Sequence, residues 1–450
     1  MSSDDVPFDN INELPDVFTT YRKSLEPLRE KPRKQLATPA KLLPFPSLSN
    51  IPPHPNYISI PGSKSDLLDV VLKPLSDSLG LQVPPIWPED DDVKLKSAHP
   101  LSGGETSAKE RLRHLIISGA MTSYKDTRNG LIGLDFSTKL SGYLAIGCVT
   151  ARQVHAAIRL LEEGEAAAET AEDKALIEEF RSTPGFGHGE NEGTTAVRFE
   201  LLWRDYMRLC ARKFGPRLFH LDGFRGLTDR KWESVGPESS AETKDKLERF
   251  LSGRTGIGLI DASQRELFLT GYSSNRARQN VANFLAKHLC IDWRLGAEWY
   301  ESMLIDYDVS SNWGNWQYVA GVGNDPREGR IFNPIKQALD YDPKGEYIKT
   351  WIPELRGLDL GDEDGSPNQE KLMGLFQAWR IGPNDRQDLN LDNLDWVNSP
   401  LEKIPFSVGR KPRINNRGRG NHRGRGNFRG WGRGRGRGFS GPSFNREDQT

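Results

Sequence analysis

Apolar positions recur with a helical period through the middle of the chain. Leu112, Leu115 and Ile116 share one face, and Val154, Ala157, Ile158 and Leu161 do the same behind Thr150, a residue suited to cap a helix. Val281, Phe284, Leu285 and Leu289 keep the i, i+3, i+4, i+8 spacing. From Leu101 to about Leu355 no alternating pattern competes with this one, so the expected fold class is mainly α, with an all-helical domain over residues 101–357. Within it an Ala/Glu-rich run followed by TPGFGHGENEGTT, residues 162–195, reads as a helix end and a loop. Residues 1–100 hold PFPSLSNIPPHPNY and VPPIWP with only short apolar runs between, such as Asp66 to Leu72, and are expected to form an extended leader. Residues 358–408 are acidic and weakly periodic, as in a linker. Residues 409–450 are too rich in glycine and charge to bury anything and are expected to be disordered.

Composition supports this division. With 36% hydrophobic and 27% charged residues, a core is possible over part of the chain only. Cys148, Cys210 and Cys290 are far apart and lack a C-x-x-C spacing, which excludes a disulfide framework and argues against structural zinc; no metal is expected. No apolar run approaches the roughly 18 residues of a membrane span, and MSSDDVPFDN is acidic where a secretory signal is basic and then apolar. A soluble intracellular monomer is expected, nuclear or cytoplasmic, with an organelle left open.

The net charge of −1 hides a segregation. Ten Arg and one Lys between Arg410 and Arg437 face no acidic residue, and residues 438–450 carry −1, which leaves −11 on residues 1–409. Arg417, Arg419, Arg423, Arg425, Arg429, Arg433, Arg435 and Arg437 alternate with glycine around Phe428 and Trp431. This RGG composition binds RNA or single strands through phosphate contacts and arginine or aromatic stacking.

The stretch from GYSSNRARQNVANFLAKHLCIDW to GEYIKTWIPEL, residues 271–355, resembles the flavin-binding domain of photolyases and cryptochromes. GGETSA (103–108), YKDTRNG (124–130), FSTKLSGYLAIGC (136–148), FELLWRDYMR (199–208) and RTGIGLIDASQREL (254–267) match the same domain in order, and ELPDVFTTYRK (13–23) extends the match upstream. GGETSA, YKDTRNG and GVGNDPRE point to the DASH branch of the cryptochromes. The resemblance implies a helical bowl around a folded FAD and electron transfer driven by blue light.

Residue by residue, FSTKLS offers a pyrophosphate site in the Ser137, Thr138 and Ser141 hydroxyls, Lys139 and backbone N–H groups through Leu140 at a helix start. Tyr124 and Arg128 match the family's nucleotide contacts. Asn275 and Arg278 share a helical face, and the resemblance pairs Arg278 with Asp306, sets Asp308 against the cofactor and turns Asn312 to the flavin's redox-active nitrogen. An amide there can hydrogen-bond the nitrogen in either protonation state without giving up a proton. Glu200, Trp203 and Arg204 share the polar face of one helix, opposite Phe199, Leu202, Tyr206 and Leu209. In the family the matching Glu binds the carbonyls of a flipped-out cyclobutane pyrimidine dimer and the Trp packs flat against it. Asn315 and Tyr318 match further substrate-facing positions. Tyr318 stands where duplex-active photolyases usually have Trp, and this smaller platform suits lesions in single strands.

For electron supply, Trp316 and Trp293 match the first two members of the family's tryptophan chain. The third is expected just before RTGIGLID, where Phe250 stands, so the usual surface donor would be missing. Family members carry an α/β domain ahead of the flavin domain, and this chain starts close to where that domain would end, which puts a methenyltetrahydrofolate antenna in doubt. The implied function is light-driven repair of pyrimidine dimers in single-stranded DNA. Two other readings stay open: a blue-light photoreceptor without repair, and an RNA-binding protein with a vestigial flavin domain.

Overall fold

In the computed structural model the described residues are 6–25, 41–44, 62–76, 97–100, 102–325, 329–361 and 368–406. The arginines of the RGG segment lie outside them. Among the described residues the fold is helical, with two isolated bridges, Glu233 to Ile291 and Ile257 to Gln377, as its only extended pairing.

Nine helices place the site: α1 (Phe18–Leu25), α2 (Glu105–Ile117), α3 (Ser141–Ile146), α4 (Ala151–Glu163), α5 (Glu192–Phe214), α6 (Gly258–Thr270), α7 (Asn275–Asn283), α8 (Trp293–Met303) and α9 (Val309–Ala320). The predicted face of α4 is buried through Val154, Ala157, Ile158 and Leu161, and Thr150 and Gln153 close a capping box at its start. It packs with Leu112, Leu115 and Ile116 of α2 into one apolar cluster. At the centre lies α6, buried from Gly258 to Leu267 on every face. Its approach is fixed by Asp261, whose carboxylate accepts the N–H groups of Thr255 and Gly256 at 2.7 and 2.8 Å. Against this centre α7 continues into a π-helical segment, Phe284–His288; α8 packs on that segment and on α9, and α9 packs onto α5 and α7. The close crossing of α8 and α9 needs a glycine, since a Cβ on Gly296 would stand 2.2 Å from the Trp316 ring.

Two segments depart from the sequence expectation. The leader is not extended throughout, because residues 18–25 and 64–76 are helical. Phe18 and Tyr21 of α1 are buried, and Phe18 contacts Phe199, Trp203 and Tyr206 of α5 at centroid distances of 4.9, 4.7 and 5.4 Å. The Tyr206 hydroxyl donates to the carbonyls of Pro15 and Asp16, and Lys213 donates to that of Leu14. The stretch read as an acidic linker is folded as well. Helices Gln369–Phe376, Pro383–Asp388 and Asp395–Asn398 bury Met373, Leu375, Phe376, Trp396 and Val397, and the compact unit runs to Phe406. The Ala378 and Leu401 N–H groups bond to the Gly256 and Thr255 carbonyls, tying this stretch to the entry of α6. Helices of four to eight residues are too short to show a repeating apolar face, which is why the pattern missed them.

Trp396 is 3% exposed under the Arg265 guanidinium. Trp396→Ala should therefore lower the unfolding free energy by about 3–5 kcal/mol in urea titration, whereas a change within about 0.5 kcal/mol would restore the linker reading.

Candidate functional site

The loop before α3 is held by one buried side chain. Arg111 donates from Nε to the Thr138 carbonyl at 3.0 Å, from Nη1 to Asp135 at 2.9 Å and from Nη2 to the Leu134 carbonyl at 2.9 Å. So anchored, the loop keeps Ser137 and Lys139 at φ 64° and 56°, left-handed values that non-glycine residues seldom adopt. Left-handed Lys139 followed by right-handed Leu140 turns successive N–H groups toward one side, the backbone form of an anion nest. Lys139 is 2% exposed and its ammonium donates to the Tyr272 hydroxyl at 2.9 Å, a partner without formal charge. A buried cation so placed calls for an anion.

Arg278 and Asp306 form the second polar layer, joined at 2.9 Å, with Arg278 Nε donating to the Ser273 carbonyl and its guanidinium lying over the Tyr272 ring. Burial raises the Asp306 pKa, but the Arg278 charge and hydrogen bond, with the Ser141 hydroxyl, outweigh it and hold this carboxyl below its ordinary value. The His99 ring sits 5.0 Å from that of Tyr272, and burial pushes its pKa down. Both His99 ring nitrogens, Ser273 Oγ and the Tyr300 hydroxyl are buried without a hydrogen-bond partner. Buried polar atoms are normally satisfied, so this cluster together with the cationic nest fits a large polar ligand with a diphosphate, and FAD is such a ligand. Asn275, in contrast, is exposed on the first turn of α7.

On the far side of this layer Asn312 is buried, and its Nδ2 donates to the Ala297 carbonyl at 2.9 Å, which leaves Oδ1 as its acceptor toward the interior. Asp308 caps α9 through the Ser311 N–H at 2.9 Å and pairs with Arg208 at 2.7 Å. Trp316 is buried edge-on to Tyr300 at 5.2 Å. Trp293 is fully buried, donates to the Leu221 carbonyl at 3.1 Å and meets Trp313 edge-on at 5.8 Å.

At the rim, Arg128 donates to Glu200 at 2.5 Å, so a residue expected at the nucleotide and one expected at the lesion form one ion pair. Burial pushes the Glu200 pKa up against the opposing Arg128 charge, and Tyr124 beside them is also pushed up by burial. Trp203 donates from Nε1 to Asn315 at 3.1 Å and stands edge-on to Tyr318 at 5.3 Å. Arg204 points elsewhere, donating to the Leu144 carbonyl in α3.

One expectation fails. Phe250 is fully buried and cannot occupy the solvent end of an electron path. Trp232, which the sequence reading passed over, is half-buried at the surface and donates to the Ala286 carbonyl at 3.2 Å. Its neighbour Glu233 pairs with the strand just before α8, accepting from the Asp292 N–H at 3.0 Å and donating to the Cys290 carbonyl at 2.7 Å, so Trp232 adjoins the segment that leads into Trp293. His99 was also missed, and only its proximity to Tyr272 in space marks it.

Residues 197–372 match the family model described as the FAD binding domain of DNA photolyase. A Neurospora crassa protein named as a mitochondrial cryptochrome DASH is 50% identical over 91% of this chain and 54% of its own length. The chain belongs to the photolyase and cryptochrome family. A Danio rerio cryptochrome DASH is 42% identical over 80% of this chain and 58% of its own length. The crystal structure of a Synechocystis cryptochrome superposes with a TM-score of 0.63 at 35% identity, over 86% of this chain and 65% of that one. This chain thus spans a little over half the length of these curated relatives. As in the photolyase domain that it matches, its cofactor is FAD. Among the described residues no group of three His, Cys, Asp or Glu could hold a metal ion, and no helix is long and apolar enough to cross a membrane.

Glu266 on α6 gives the site a pH signature. Burial pushes its carboxyl up to about 7 even though it accepts from the Tyr347 hydroxyl at 2.6 Å and feels Lys139 and Arg278. Because the folded pKa lies above the unfolded one, this group's contribution to stability is complete below about pH 4.5 and is lost as pH rises toward about 7. The loss amounts to about 3 kcal/mol. Glu266→Gln removes this titration, so the variant's unfolding free energy relative to the parent should climb by about 3 kcal/mol between about pH 4 and pH 8 in urea titrations. A flat difference across that range would place the carboxyl at an ordinary pKa.

Proposed function

We propose that this chain repairs cyclobutane pyrimidine dimers in single-stranded DNA under blue light. The observation that carries the reading is the rim geometry. Glu200, half-exposed and paired with Arg128, and the Trp203 indole, fixed by Asn315 and Tyr318, flank the same helix α9 that buries Asn312 and Trp316. Bound FAD supplies the light absorption and the transferable electron. Lys139 and the nest of residues 137–140 hold the diphosphate, with Ser141 at the helix start. The Asn312 amide, its nitrogen engaged by Ala297, would offer its oxygen as an acceptor to a protonated ring nitrogen of the flavin. Glu200 faces the dimer carbonyls, and its carboxyl donates a hydrogen bond to them in its protonated form, which burial favours and the paired Arg128 charge opposes. Trp203 stacks against the extruded lesion, and a tyrosine at 318 suits bases that need no unpairing. For electron resupply the chain's path runs from Trp316 through Trp293 to Trp232, whose half-buried indole meets solvent. The RGG segment anchors the strand through its phosphates.

Under blue light, repair of a dimer in a single-stranded oligonucleotide should exceed repair in duplex by at least about tenfold, measured as restored absorbance. Glu200→Ala should reduce single-strand repair about 100-fold with the flavin absorbance retained. Equal rates on the two substrates would remove Tyr318 as the discriminator, and an active Glu200→Ala variant would remove the lesion contact. Deleting residues 410–450 should weaken single-strand binding and flatten the dependence of log Kd on log salt, with repair per bound lesion within about twofold of the parent. If affinity and slope survive the deletion, the segment is not an anchor.

A further inference from the structure

Trp293 has an aromatic neighbour that the path to Trp232 leaves unused. Trp313, on α9, meets it edge-on at 5.8 Å and is 5% exposed. On another side of Trp313 stands Phe219, edge-on at 4.9 Å, and a phenyl ring is far harder to oxidise than an indole, so a hole reaching Trp313 goes no further that way. The proton of this indole is also placed unlike those of the path. Trp293 and Trp232 donate to backbone carbonyls, which take up no proton, whereas Trp313 donates from Nε1 to the Glu301 carboxylate of α8 at 2.8 Å. Glu301 is exposed and Tyr307 lies against it. Burial, and after it the Glu301 carboxylate, push the Tyr307 hydroxyl up to about 12, so Tyr307 keeps its proton and stays a donor.

We propose that Trp313 and Glu301 form a proton-coupled side branch of the electron path, where a hole from Trp293 is held as a neutral tryptophanyl radical. The proposal rests on the path of the preceding subsection as far as Trp293. The oxidant is the Trp293 radical cation, left when that indole has passed an electron inward to Trp316. One electron moves from Trp313 to Trp293 and restores it. An oxidised indole is about as acidic as a carboxylic acid, so the Nε1–H bond breaks along the existing hydrogen bond and an O–H bond forms on Glu301, which exchanges its proton with water. The positive charge that was on Trp293 and the negative charge on Glu301 cancel, and what remains is an uncharged radical in a ring shielded from solvent. Reversal needs an electron and a proton to return together, so the branch delays recombination. The same hydrogen bond ties α8 to α9, but a tie alone is served by any acceptor at position 301; the branch needs one that takes up the proton.

The test uses the FAD-loaded full chain, with transient absorption and electron paramagnetic resonance after a blue flash to separate the tryptophanyl radical cation from the neutral radical. In the parent the neutral radical should form, and its formation should slow at least about twofold in deuterium oxide. Glu301→Gln keeps an oxygen that accepts from the indole but cannot take up its proton, so the neutral radical should form at least about tenfold more slowly and the separated charges should recombine faster. Ultraviolet resonance Raman spectra in the dark supply a readout apart from photochemistry: the bonded indole N–H should persist in Glu301→Gln, with the tie between α8 and α9 intact. Trp232→Phe should still yield the Trp313 radical. If Glu301→Gln makes the neutral radical at the parent rate, or if Trp313→Phe leaves the radical spectrum and lifetime unchanged, the proposal is overturned while the path through Trp293 stands. If Trp293→Phe keeps the radical yield of the parent, the path itself falls, and the proposal with it.

Discussion

Uncompensated positive charge in the interior is the constraint around which this fold is arranged. Lys139 and Arg278 are both drawn into the helical centre, yet Asp306 is the ionised partner of only one of them, and burial raises the pKa of Glu266, disfavouring its charged form. Isolated buried charge is costly enough that a protein normally neutralises or pairs it. Here the deficit sits beside a backbone nest, and His99, whose buried ring nitrogens lack partners, adjoins the same Tyr272 ring that Lys139 and Arg278 contact. A diphosphate satisfies the cations and the nest together, so binding the cofactor completes the electrostatics of the core. The Arg111 clamp belongs to the same arrangement, because two left-handed non-glycine residues persist only where the surroundings over-determine them.

The sequence was legible where structure repeats and where motifs are local. The apolar faces of α2 and α4 and the continuation of α7 could be read from spacing, and the pairing of Arg278 with Asp306 followed from the resemblance. What was not legible depends on distant contacts. Asp308 shows it: its carboxylate caps α9 through the Ser311 N–H and pairs with Arg208, 100 residues upstream, a contact no local spacing announces. The stretch after residue 358 buries tryptophan and phenylalanine from helices too short to carry a period, and its anchor is a backbone pairing with the loop before α6. His99 lies in a segment with no periodic signal, and its burial against Tyr272 is set wholly by tertiary structure.

Phe250 and Trp232 show the same limit in the redox path. Position 250 precedes a strong motif, which made it the natural place to seek a surface aromatic, but it sits on the inward face of its helix with no solvent at all. Trp232 lies in the sequence TDRKWES, which has no helical period, and it adjoins the segment leading to Trp293 through a single bridge between residues 58 apart, Glu233 and Ile291. Exposure and adjacency decide which aromatic can exchange electrons with solvent, and neither is encoded by distance from a motif.

The leader shows how the rim depends on residues far from the chemistry. Helix α5 carries Glu200 and Trp203 toward the rim, while Phe199, Trp203 and Tyr206 are also the surface on which Phe18 and Tyr21 pack. Trp203 is therefore held on two sides, by Phe18 at 4.7 Å and by Tyr318 at 5.3 Å, and its indole N–H is fixed by Asn315. A stacking platform must keep its angle when a base presses on it, and an indole held from one side only would be free to tilt. The hydrogen bonds from Tyr206 and Lys213 to the carbonyls of residues 14–16 make the leader's position depend on α5 as much as Trp203 depends on the leader. Rigid support of this kind lets one aromatic side chain in a wide, solvent-facing rim act as a fixed surface, which recognition by stacking requires.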